Sequence, residues 1–507
     1  MTETAAPPRR LDLGDFQTPD PLARQVCDLV AKCGFPARSI LEPTCGVGAF
    51  IVAAAQAFPR ATRILGSDIN AAHVAVARSR VQRLGAPPRV DLETADFFAT
   101  DWQAVIGRLE GPVLIVGNPP WVTNSELGAL RSQNLPRKAN FDGHRGIDAL
   151  TGRSNFDISE WMLRTLIDAV DHDAAMLAVL CKTSVARKVL AYAWNRDYPI
   201  GYAALHRVDA LKHFGASVDA CLLVVRTAES TVTKECAVFD SLDAERPISR
   251  FGLRAGELVS DLALFDRWKN LAGKGGGWRS GVKHDCSKVL ELHRDGRNRY
   301  RNGLGETFEL ESEVAYPLVK SSDLASQRPP TRWLLVPQLS IASDTAHLQS
   351  VAPLAWAYLM SHSERLDARA SSVYRNRPRF SIFGIGEYSF APWKVAISGL
   401  YKRLAFSVLA PFDGKPVLCD DTGYFFPCQT EEESRTLRAL LDSRPALEFL
   451  SARVFWDSKR PITARLLNAL DLMALGDYLG FSDSVVRTLA ERQFVRYQET
   501  AHQAMLF

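Results

Sequence analysis

The chain has 507 residues, of which 47% are hydrophobic and 23% charged, a balance typical of a globular protein with two or three domains. It has no apolar run of about 18 residues that could cross a membrane, and its first residues, MTETAAPPRR, do not resemble a signal peptide. Nine cysteines are scattered without a Cys-x-x-Cys pair, which indicates reduced thiols in the cytoplasm and argues against a metal site.

The first half of the chain alternates between helical and strand patterns. Helices are predicted at 21–34, 71–84 and 157–172. Strands are predicted at 38–43, 62–69, 89–98, 112–120 and 174–183. Two more strands, at 202–211 and 217–228, close the region, and we expect no helix between them. Strands separated by helices imply a parallel sheet in βαβ units.

Positive charge is concentrated in the second half of the chain. The first 240 residues carry 26 basic and 26 acidic side chains, so the whole net charge of +4 comes from the remainder. Residues 267–304 hold ten basic and three acidic side chains, and residues 365–403 hold eight and two. Tryptophan and tyrosine are interleaved with these charges, a pattern that favours a nucleic-acid surface over an ordinary solvated one.

A change of domain is expected between about residues 230 and 275. The stretch GKGGG at 273–277 is the one plausible flexible hinge. We therefore predict one domain at 1–240, a linking region at 241–274 and a second domain at 275–507.

Polar residues follow four of the predicted strands. Ligands of an open parallel sheet bind at the carboxyl ends of its strands, so these residues are candidate ligand contacts. The first strand ends in EPTCGVG at 42–48, where two glycines allow a tight turn close to a ligand. The second ends at Asp68, which suits the two hydroxyls of a ribose, and the third at Asp96 and Phe97, which suit an adenine ring. The fourth ends in NPPW at 118–121.

Each of these residues also has a purely structural interpretation. A lone Gly-x-Gly is often a tight turn, Asp68 could cap the following helix, and Asp96 could belong to a turn. Four consecutive strand ends with matching polar groups favour a shared ligand site over separate structural roles.

In their order, these motifs closely resemble those of the S-adenosylmethionine-dependent DNA methyltransferases that methylate amino groups. The likeness is to their γ group, in which the cofactor region precedes the catalytic motif and the target-recognition domain comes last. NPPW matches the catalytic (Asp/Asn/Ser)-Pro-Pro-aromatic tetrapeptide of that family, and DFQTP at 15–19 matches its N-terminal motif. Beyond residue 275, SGVKHDCSKV and the stretches 376–402 and 455–463 resemble the C-terminal specificity domain of TaqI-like enzymes.

The resemblance implies an α/β fold with a Rossmann-like, seven-stranded methyltransferase sheet, followed by a mixed α+β DNA target-recognition domain. It implies S-adenosyl-L-methionine as the cofactor and no metal. The cofactor would be bound by Phe16, Gln17, Thr18, Pro19, Glu42, Pro43, Thr44, Cys45, Gly46, Gly48, Phe50, Asp68, Ile69, Asp96, Phe97 and Asn118. The catalytic residues would be Asn118, Pro119, Pro120, Trp121 and Phe214.

The tetrapeptide suggests how the amino group of a base is activated. An exocyclic amine is a poor nucleophile because its lone pair is delocalised into the ring. If the Asn118 side-chain oxygen and the Pro119 carbonyl each accept one N–H, the lone pair is directed at the methyl donor, and both bonds strengthen as positive charge builds on nitrogen. A base in a duplex must first be flipped out, and Trp121 and Phe214 would then stack on its two faces. No nucleophilic cysteine is needed, and we interpret Cys428 in FPCQ as a buried strand residue.

The second domain is expected to read duplex DNA. The basic side chains predicted to contact DNA are Lys283, His284, Lys288, Arg375, Arg377, Arg379 and Lys394. The chain contains no convincing nuclease motif, so we expect methylation only, with any cognate restriction endonuclease being a separate partner.

Three alternatives stay open. The leading Asn of the tetrapeptide favours N6 of adenine, but methylation of N4 of cytosine uses the same physical chemistry. RNA and protein glutamine are other substrates on which an Asn-Pro-Pro-aromatic motif acts. The chain could also be a DNA-binding defence subunit that senses the cofactor without catalysis.

Overall fold

The computed structural model describes residues 17–85, 88–122, 157–170, 174–227, 231–341, 343–481 and 484–494. Phe16, a predicted cofactor contact, lies outside these residues. The chain divides between Leu262 and Ala263 into two compact units. This division falls inside the predicted linking region.

The first unit is built on a ten-stranded mixed sheet. Its strands are β1 Ser39–Glu42, β2 Arg63–Asp68, β3 Arg89–Thr94, β4 Val113–Gly117, β5 Ala175–Lys182, β6 Ile200–Val208, β7 Ala220–Thr227, β8 Glu235–Phe239, β9 Ser249–Arg254 and β10 Glu257–Val259. Their order across the sheet is β10-β9-β8-β6-β7-β5-β4-β1-β2-β3. Strands β1 to β5 run parallel, and β7 runs antiparallel between β5 and β6.

The predicted α/β class is confirmed, and strands β1 to β7 account for the seven expected strands. The expected strand number is nevertheless too small. Residues 235–259 form three further strands, of which β8 pairs with β6 and is followed across the edge by β9 and β10. Part of the predicted linking region therefore belongs to the first sheet.

The helices of the first unit mostly connect successive strands. In the described residues they are α1 Asp20–Lys32, α2 Ala49–Ala57, α3 Ala71–Val81, α4 Trp102–Ile106, α5 Ile158–Ala169, α6 Thr183–Asn195 and α7 Ala210–Phe214. Helix α7 corrects the expectation that no helix separates the last two predicted strands: the Asp209 side chain caps it by accepting a hydrogen bond from Lys212 N at 2.9 Å.

The central strands are buried on both faces, which explains their continuous apolar sequence. Every residue of β1 and β4 is buried, as expected for parallel strands covered by helices on each side. Polar side chains therefore become accessible only where these strands end. The sheet thus places the chemically useful residues along one edge.

The second unit contains a six-stranded sheet, a four-stranded sheet and surrounding helices. The strands are β11 Arg279–Ser280, β12 Glu291–Arg294, β13 Arg299–Asn302, β14 Thr307–Glu309, β15 Ala315–Val319, β16 Arg332–Leu335, β17 Trp393–Ser398, β18 Ser407–Leu409, β19 Leu418–Cys419 and β20 Gly423–Cys428. The sheet orders are β14-β13-β12-β16-β15-β19 and β11-β20-β17-β18. Cys428 is fully buried in β20, as predicted.

Eleven α-helices accompany these sheets in the described residues. They are α8 Leu262–Trp268, which spans the division, α9 Ser287–Leu290, α10 Ser321–Ser326, α11 Leu348–Val351, α12 Pro353–Ser361, α13 Ser363–Asp367, α14 Glu431–Leu441, α15 Arg444–Ser451, α16 Ala464–Asn468, α17 Leu472–Leu479 and α18 Ser484–Phe494. Short 3-10 turns occur at Lys269–Leu271, Ser312–Val314, Ser372–Tyr374 and Glu387–Phe390. Among all described helices of the chain, none combines the length and apolar character that crossing a bilayer requires.

Candidate functional site

A cavity of about 300 Å³ lies at the carboxyl ends of β1 to β4. It brings together most of the residues predicted to bind the cofactor. The predicted residues that line it are Gln17, Thr18, Glu42, Pro43, Thr44, Cys45, Gly46, Phe50, Asp68, Ile69, Asp96, Phe97, Asn118 and Pro120. The predicted residues Pro19, Gly48, Pro119, Trp121 and Phe214 are not part of its lining.

The glycine turn after β1 is closely packed on both sides. Gly46 and Gly48 have φ angles of +49° and +82°, in the region that side chains disfavour. A Cβ at Gly48 would lie 2.8 Å from the Cβ of Ala77 in α3, and one at Gly46 would lie 2.5 Å from Gln17 Oε1. Gln17 Oε1 also accepts a hydrogen bond from Val47 N at 3.1 Å. The positive φ therefore favours glycine at both positions, and at Gly48 the close approach of Ala77 requires it as well, whereas the flexible Gln17 side chain could move away from Gly46.

Asp68 is held at the end of β2 by the backbone. Its Oδ2 accepts a hydrogen bond from Gly46 N at 2.9 Å, and its Oδ1 accepts one from Asn70 N at 2.8 Å. The expected alternative, that Asp68 caps α3, is not realised, because the Asn70 side chain caps that helix through Ala72 N. A carboxylate has about four acceptor positions, so Asp68 keeps acceptor capacity for a ligand.

Glu42 is a buried carboxyl group without a complete set of partners. It is 2% exposed, and its Oε2 accepts no hydrogen bond within the described part of the chain. Burial, followed by the neighbouring charge of Asp68, holds the pKa of Glu42 well above its ordinary value. The Thr44 hydroxyl nearby is likewise buried and unpartnered among the described residues. Leaving such acceptors unpaired costs about 1–3 kcal/mol each, which favours a ligand with donor groups at this end of the cavity.

Part of the cavity wall is aromatic. Asp96 Oδ1 accepts a hydrogen bond from Phe98 N at 2.9 Å, so Asp96 does form the turn that was its alternative interpretation. Phe97 packs 4.8 Å from Trp102, and Phe98 packs 5.0 Å from Trp161. Phe98 lines the cavity together with Phe97 and was missed by the sequence analysis.

The tetrapeptide at 118–121 follows β4 directly. Asn118 and Pro120 face the cavity, whereas Trp121 is 5% exposed and packs beside it. The Trp121 indole donates a hydrogen bond to Leu180 O at 3.4 Å and meets the ring of Phe214 edge to face. In this arrangement the two rings predicted to enclose a base contact each other.

Comparison with known proteins places the chain in a family. No protein-family model matches it. It is 42% identical over 470 residues to the type II methyltransferase M.NspV of Nostoc sp., a match that covers 92% of this chain and 97% of that protein. The chain belongs to the type II methyltransferases. It is therefore an enzyme, a methyltransferase of the kind found in restriction–modification systems.

Two further matches concern parts of this methyltransferase or its fold. It is 34% identical over 121 residues to the release factor glutamine methyltransferase of Bordetella pertussis, covering 23% of this chain and 41% of that protein. The solved structure of the type IIL restriction-modification enzyme MmeI in complex with DNA matches with a TM-score of 0.51 at 12% identity. That match covers 94% of this chain and 71% of MmeI, and it shows a shared fold.

The methyl donor of the methyltransferase is S-adenosyl-L-methionine, and the cavity suits the chemistry of this cofactor. The Glu42 carboxyl, whose Oε2 has no partner among the described residues, would hold the ammonium group of the methionine part. Asp68 would hold the ribose hydroxyls, and Asp96 with the aromatic wall would hold the adenine. Ile69 is 47% exposed at the cavity, which leaves an apolar surface for the same ring.

The basic residues predicted to contact DNA differ in their exposure to solvent. Lys288 and Arg375 are exposed, and Arg377 is half-buried. Lys283 is half-buried and lies 3.5 Å from Asp285. The Tyr374 hydroxyl donates to Lys283 O at 3.2 Å, which joins the two predicted basic stretches.

Two of these predictions are corrected by burial, and a third is weakened by an ion pair. His284 is 7% exposed, and its Nε2 lies 3.2 Å from Glu291 Oε1. Lys394 is 1% exposed and donates to Ala391 O at 2.7 Å, so neither side chain is available to a phosphate. Arg379 is exposed but is bound by the Asp367 carboxylate at 2.6 Å.

Residues near the tetrapeptide were also missed. Lys182 is the last residue of β5, and its Nζ contacts both the Trp121 carbonyl and Asp157. The rule that ligands meet the carboxyl ends of strands would have found Lys182 had it been extended to the fifth strand. No cluster of three or more His, Cys, Asp and Glu side chains that could hold a metal ion occurs in the described ranges.

Proposed function

We propose that this methyltransferase transfers a methyl group to the N6 amino group of an adenine flipped out of duplex DNA. One observation carries the proposal: Asn118 lines the same cavity as Glu42 and Asp68. A group able to accept an N–H from an amine thus shares one cavity with the groups that suit the methyl donor. We also assign the chain to the γ group of amino-methylating enzymes, because its cofactor motifs precede the tetrapeptide in the sequence.

The residues of the tetrapeptide would activate the amine. The Asn118 side-chain oxygen and the Pro119 carbonyl would each accept one of its N–H groups and so localise the nitrogen lone pair. Pro119 and Pro120 suit this role because each has a restricted φ angle and no N–H that needs an acceptor. The bound cofactor supplies a methyl group on a positively charged sulfur. Hydrogen bonds to the amine strengthen as positive charge develops on it, so they stabilise the transition state more than the ground state.

We further propose that the second unit is a TaqI-like reader of the target sequence. Exposed Lys288 and Arg375, with half-buried Arg377, are the basic side chains best placed for contact with a phosphate or a base edge. In this proposal the enzyme acts in the cytoplasm and protects DNA from a separate cognate restriction endonuclease.

The proposal is tested on DNA from a host that expresses the chain. We expect mass spectrometry of its nucleosides to show N6-methyladenine beyond the level of the untransformed host, and methylation-sensitive long-read sequencing to place it in one sequence motif. N4-methylcytosine in place of N6-methyladenine would reject adenine as the target. Unmodified DNA, with the protein folded and able to bind cofactor, would reject DNA as the substrate.

Methylation of a protein glutamine is the second candidate. The observation that favours it is the 34% identity to a release factor glutamine methyltransferase. A side-chain amide, like a base amine, has a delocalised nitrogen lone pair, so the same tetrapeptide chemistry would apply. Competition binding with duplex DNA, RNA and protein separates these substrates, and tighter binding to RNA or protein would favour them over DNA.

A further inference from the structure

An ion pair between Lys182 and Asp157 contacts the tetrapeptide at 118–121. Lys182 Nζ lies 2.6 Å from Asp157 Oδ2 and donates a hydrogen bond to the Trp121 carbonyl oxygen at 3.0 Å. The pair is largely withdrawn from water, with the Lys182 side chain 22% exposed and that of Asp157 9% exposed. The pair connects the end of β5, the start of α5 and the tetrapeptide.

Asp157 is itself fixed in orientation. Its Oδ1 caps α5 by accepting hydrogen bonds from the Ser159 N–H, at 3.1 Å, and from the Ser159 hydroxyl. Its Oδ2 is thereby left pointing to Lys182. Because both carboxylate oxygens are engaged, the position of the Lys182 ammonium is determined by a rigid partner rather than by a mobile surface charge.

The backbone beyond Pro120 is held from two sides. Strand β5 provides Lys182, which binds the Trp121 carbonyl, and Leu180, whose carbonyl accepts the Trp121 indole N–H at 3.4 Å. Helix α5 provides the Ile158 N–H, which donates to Val122 O at 2.9 Å. The direction of the chain on leaving the tetrapeptide is thus fixed by β5 and α5.

We propose that Lys182 is a positioning residue for methyl transfer and that Asp157 sets its place and neutralises its charge. By holding the Trp121 carbonyl, Lys182 fixes the backbone that follows Asn118, Pro119 and Pro120, and with it the two oxygens that receive the substrate amine. This inference rests on the proposed role of the tetrapeptide. It does not depend on which base or which sequence is methylated.

The carboxylate matters because of the charge that develops during the reaction. The substrate nitrogen becomes positive as it accepts the methyl group, and an uncompensated ammonium that is hydrogen-bonded to Trp121 of the same tetrapeptide would oppose this change. Asp157→Asn keeps the helix cap, since Asn and Asp cap equally well, but leaves the Lys182 charge unpaired. We therefore expect Asp157→Asn to slow methyl transfer at least as much as Lys182→Met.

The experiment compares Lys182→Met, Asp157→Asn and the double variant with Lys188→Met as the control. Lys188 of α6 pairs with Glu160 Oε2 of α5 at 2.8 Å, so the control also removes an ion pair that reaches α5, but it leaves Lys182, Asp157 and the bond to the Trp121 carbonyl in place. Four quantities are measured: single-turnover methyl transfer to genomic DNA from a host without this methyltransferase, the cofactor Kd, the thermal midpoint, and amide hydrogen exchange at 118–122, where Asn118, Trp121 and Val122 carry an N–H.

For Lys182→Met we expect methyl transfer to slow by about 100-fold, the size of effect that a misplacement of roughly 1 Å can have. Cofactor Kd should stay that of the wild type, and amide exchange at 118–122 should become faster. The double variant should stay slow, because its Trp121 carbonyl still lacks the hydrogen bond from Lys182. Lys188→Met should match the wild type in rate and in exchange.

Several outcomes would overturn the inference. They are a wild-type rate in Lys182→Met, an equal loss in Lys188→Met, and recovery of the wild-type rate in the double variant. If the wild type methylates no DNA, it is the proposed function that fails. Amide exchange in Lys182→Met then still tests whether Lys182 positions the tetrapeptide. Unchanged exchange in Lys182→Met would then reject the positioning role.

Discussion

The indole ring of Trp121 meets the ring of Phe214 edge to face, with 5.0 Å between the ring centroids and 71° between the ring planes. A planar base can enter between these rings only if they separate. Phe214 is the ring better able to move, because it is half-buried and belongs to the short helix α7, whereas Trp121 is buried and follows β4. We therefore propose that Phe214 is displaced when a flipped base stacks on Trp121.

Replacing Phe214 should lower kcat/KM for DNA by more than the accompanying loss of stability explains. Stacking on an aromatic ring contributes about 1–3 kcal/mol per base, so Phe214→Ala should lower kcat/KM for DNA by roughly 5- to 150-fold. Steady-state kinetics and thermal unfolding measure the two effects. Phe239→Ala is the matched control, since Phe239 is another partly buried ring packed against the same core. Equal losses of kcat/KM in both variants would show that the Phe214 effect is only a packing effect.

Asn118→Ala tests the central chemical step. Removing one preorganised hydrogen-bond partner of a reacting group lowers rates by about 10²- to 10³-fold, and we expect that loss in single-turnover methyl transfer. Cofactor and DNA binding should persist, because other side chains carry them. The control is Asn195→Ala, which alters an exposed amide at the end of α6. A wild-type protein that transfers no methyl group to any DNA would instead favour a non-catalytic, cofactor-sensing subunit.

The sequence predicted the cavity well because its residues follow a local rule. Glu42, Asp68 and Asn118 each come directly at or after the end of an apolar run, and buried strands expose polar groups only where they end. The contact of Trp121 with Phe214 could not be predicted in this way, because it joins residues 93 positions apart through packing of the whole unit. The burial of Lys394 was missed for the same reason: a lysine in an amphipathic stretch gives no local sign of which face is covered.

The edge strands show a second limit of local reasoning. Residues 249–259 were assigned to a linking region, yet β9 and β10 pair there as a hairpin that extends the sheet through β8. Gly252 permits the pairing of β9 with β8, because a Cβ at this position would lie 2.3 Å from the carbonyl oxygen of Lys234, the residue before β8. A glycine inside a strand often marks a place where another backbone comes close, but the sequence does not show which strand that is.

Glu42→Gln should weaken cofactor binding and stabilise the protein without cofactor. A charge-assisted hydrogen bond contributes about 1.5–3 kcal/mol, so the cofactor Kd should rise by roughly 10- to 150-fold in calorimetric titrations. The pKa of Glu42 is raised by burial and by Asp68. Above the ordinary carboxyl pKa the unfolded chain therefore releases a proton that the folded chain retains, and wild-type stability falls with rising pH up to the raised pKa.

The variant lacks this titration, so its advantage in stability over the wild type should grow from acid toward neutral pH. Denaturant unfolding of both proteins without cofactor, at several pH values, measures the difference. Glu93→Gln, at an exposed carboxylate in β3, serves as the control and should show neither effect. An unchanged cofactor Kd in Glu42→Gln would contradict the assigned contact.

Arg375→Ala and Arg377→Ala should weaken DNA binding in a salt-dependent way. Each lost phosphate contact should reduce the slope of log K against log salt by about 0.9, as measured by fluorescence anisotropy with duplex DNA. If either arginine reads a base edge instead, its loss should relax the methylated motif at one position, which long-read sequencing detects. Arg435→Ala is the control, because Arg435 is exposed and pairs within its own helix with Glu431. If both variants bind DNA as tightly as the wild type, Arg375 and Arg377 do not contact DNA.

Lys394→Met should show that Lys394 is a buried charge and not a DNA contact. Burial lowers the pKa of Lys394 from 10.5 to about 8, despite opposing effects of Cys419 and Cys428. Between these pH values the unfolded chain binds a proton that the folded chain has released, so wild-type stability rises relative to the variant as pH increases from about 8 to 10.5, on the order of 3 kcal/mol in all. The two cysteines remain in the variant, so their titration largely cancels from the difference. Denaturant unfolding across this range measures it, with exposed Lys402→Met as the control. Two results would show that the ammonium is not buried as described. One is a difference in unfolding free energy that does not change with pH, and the other is loss of DNA binding in a folded Lys394→Met protein.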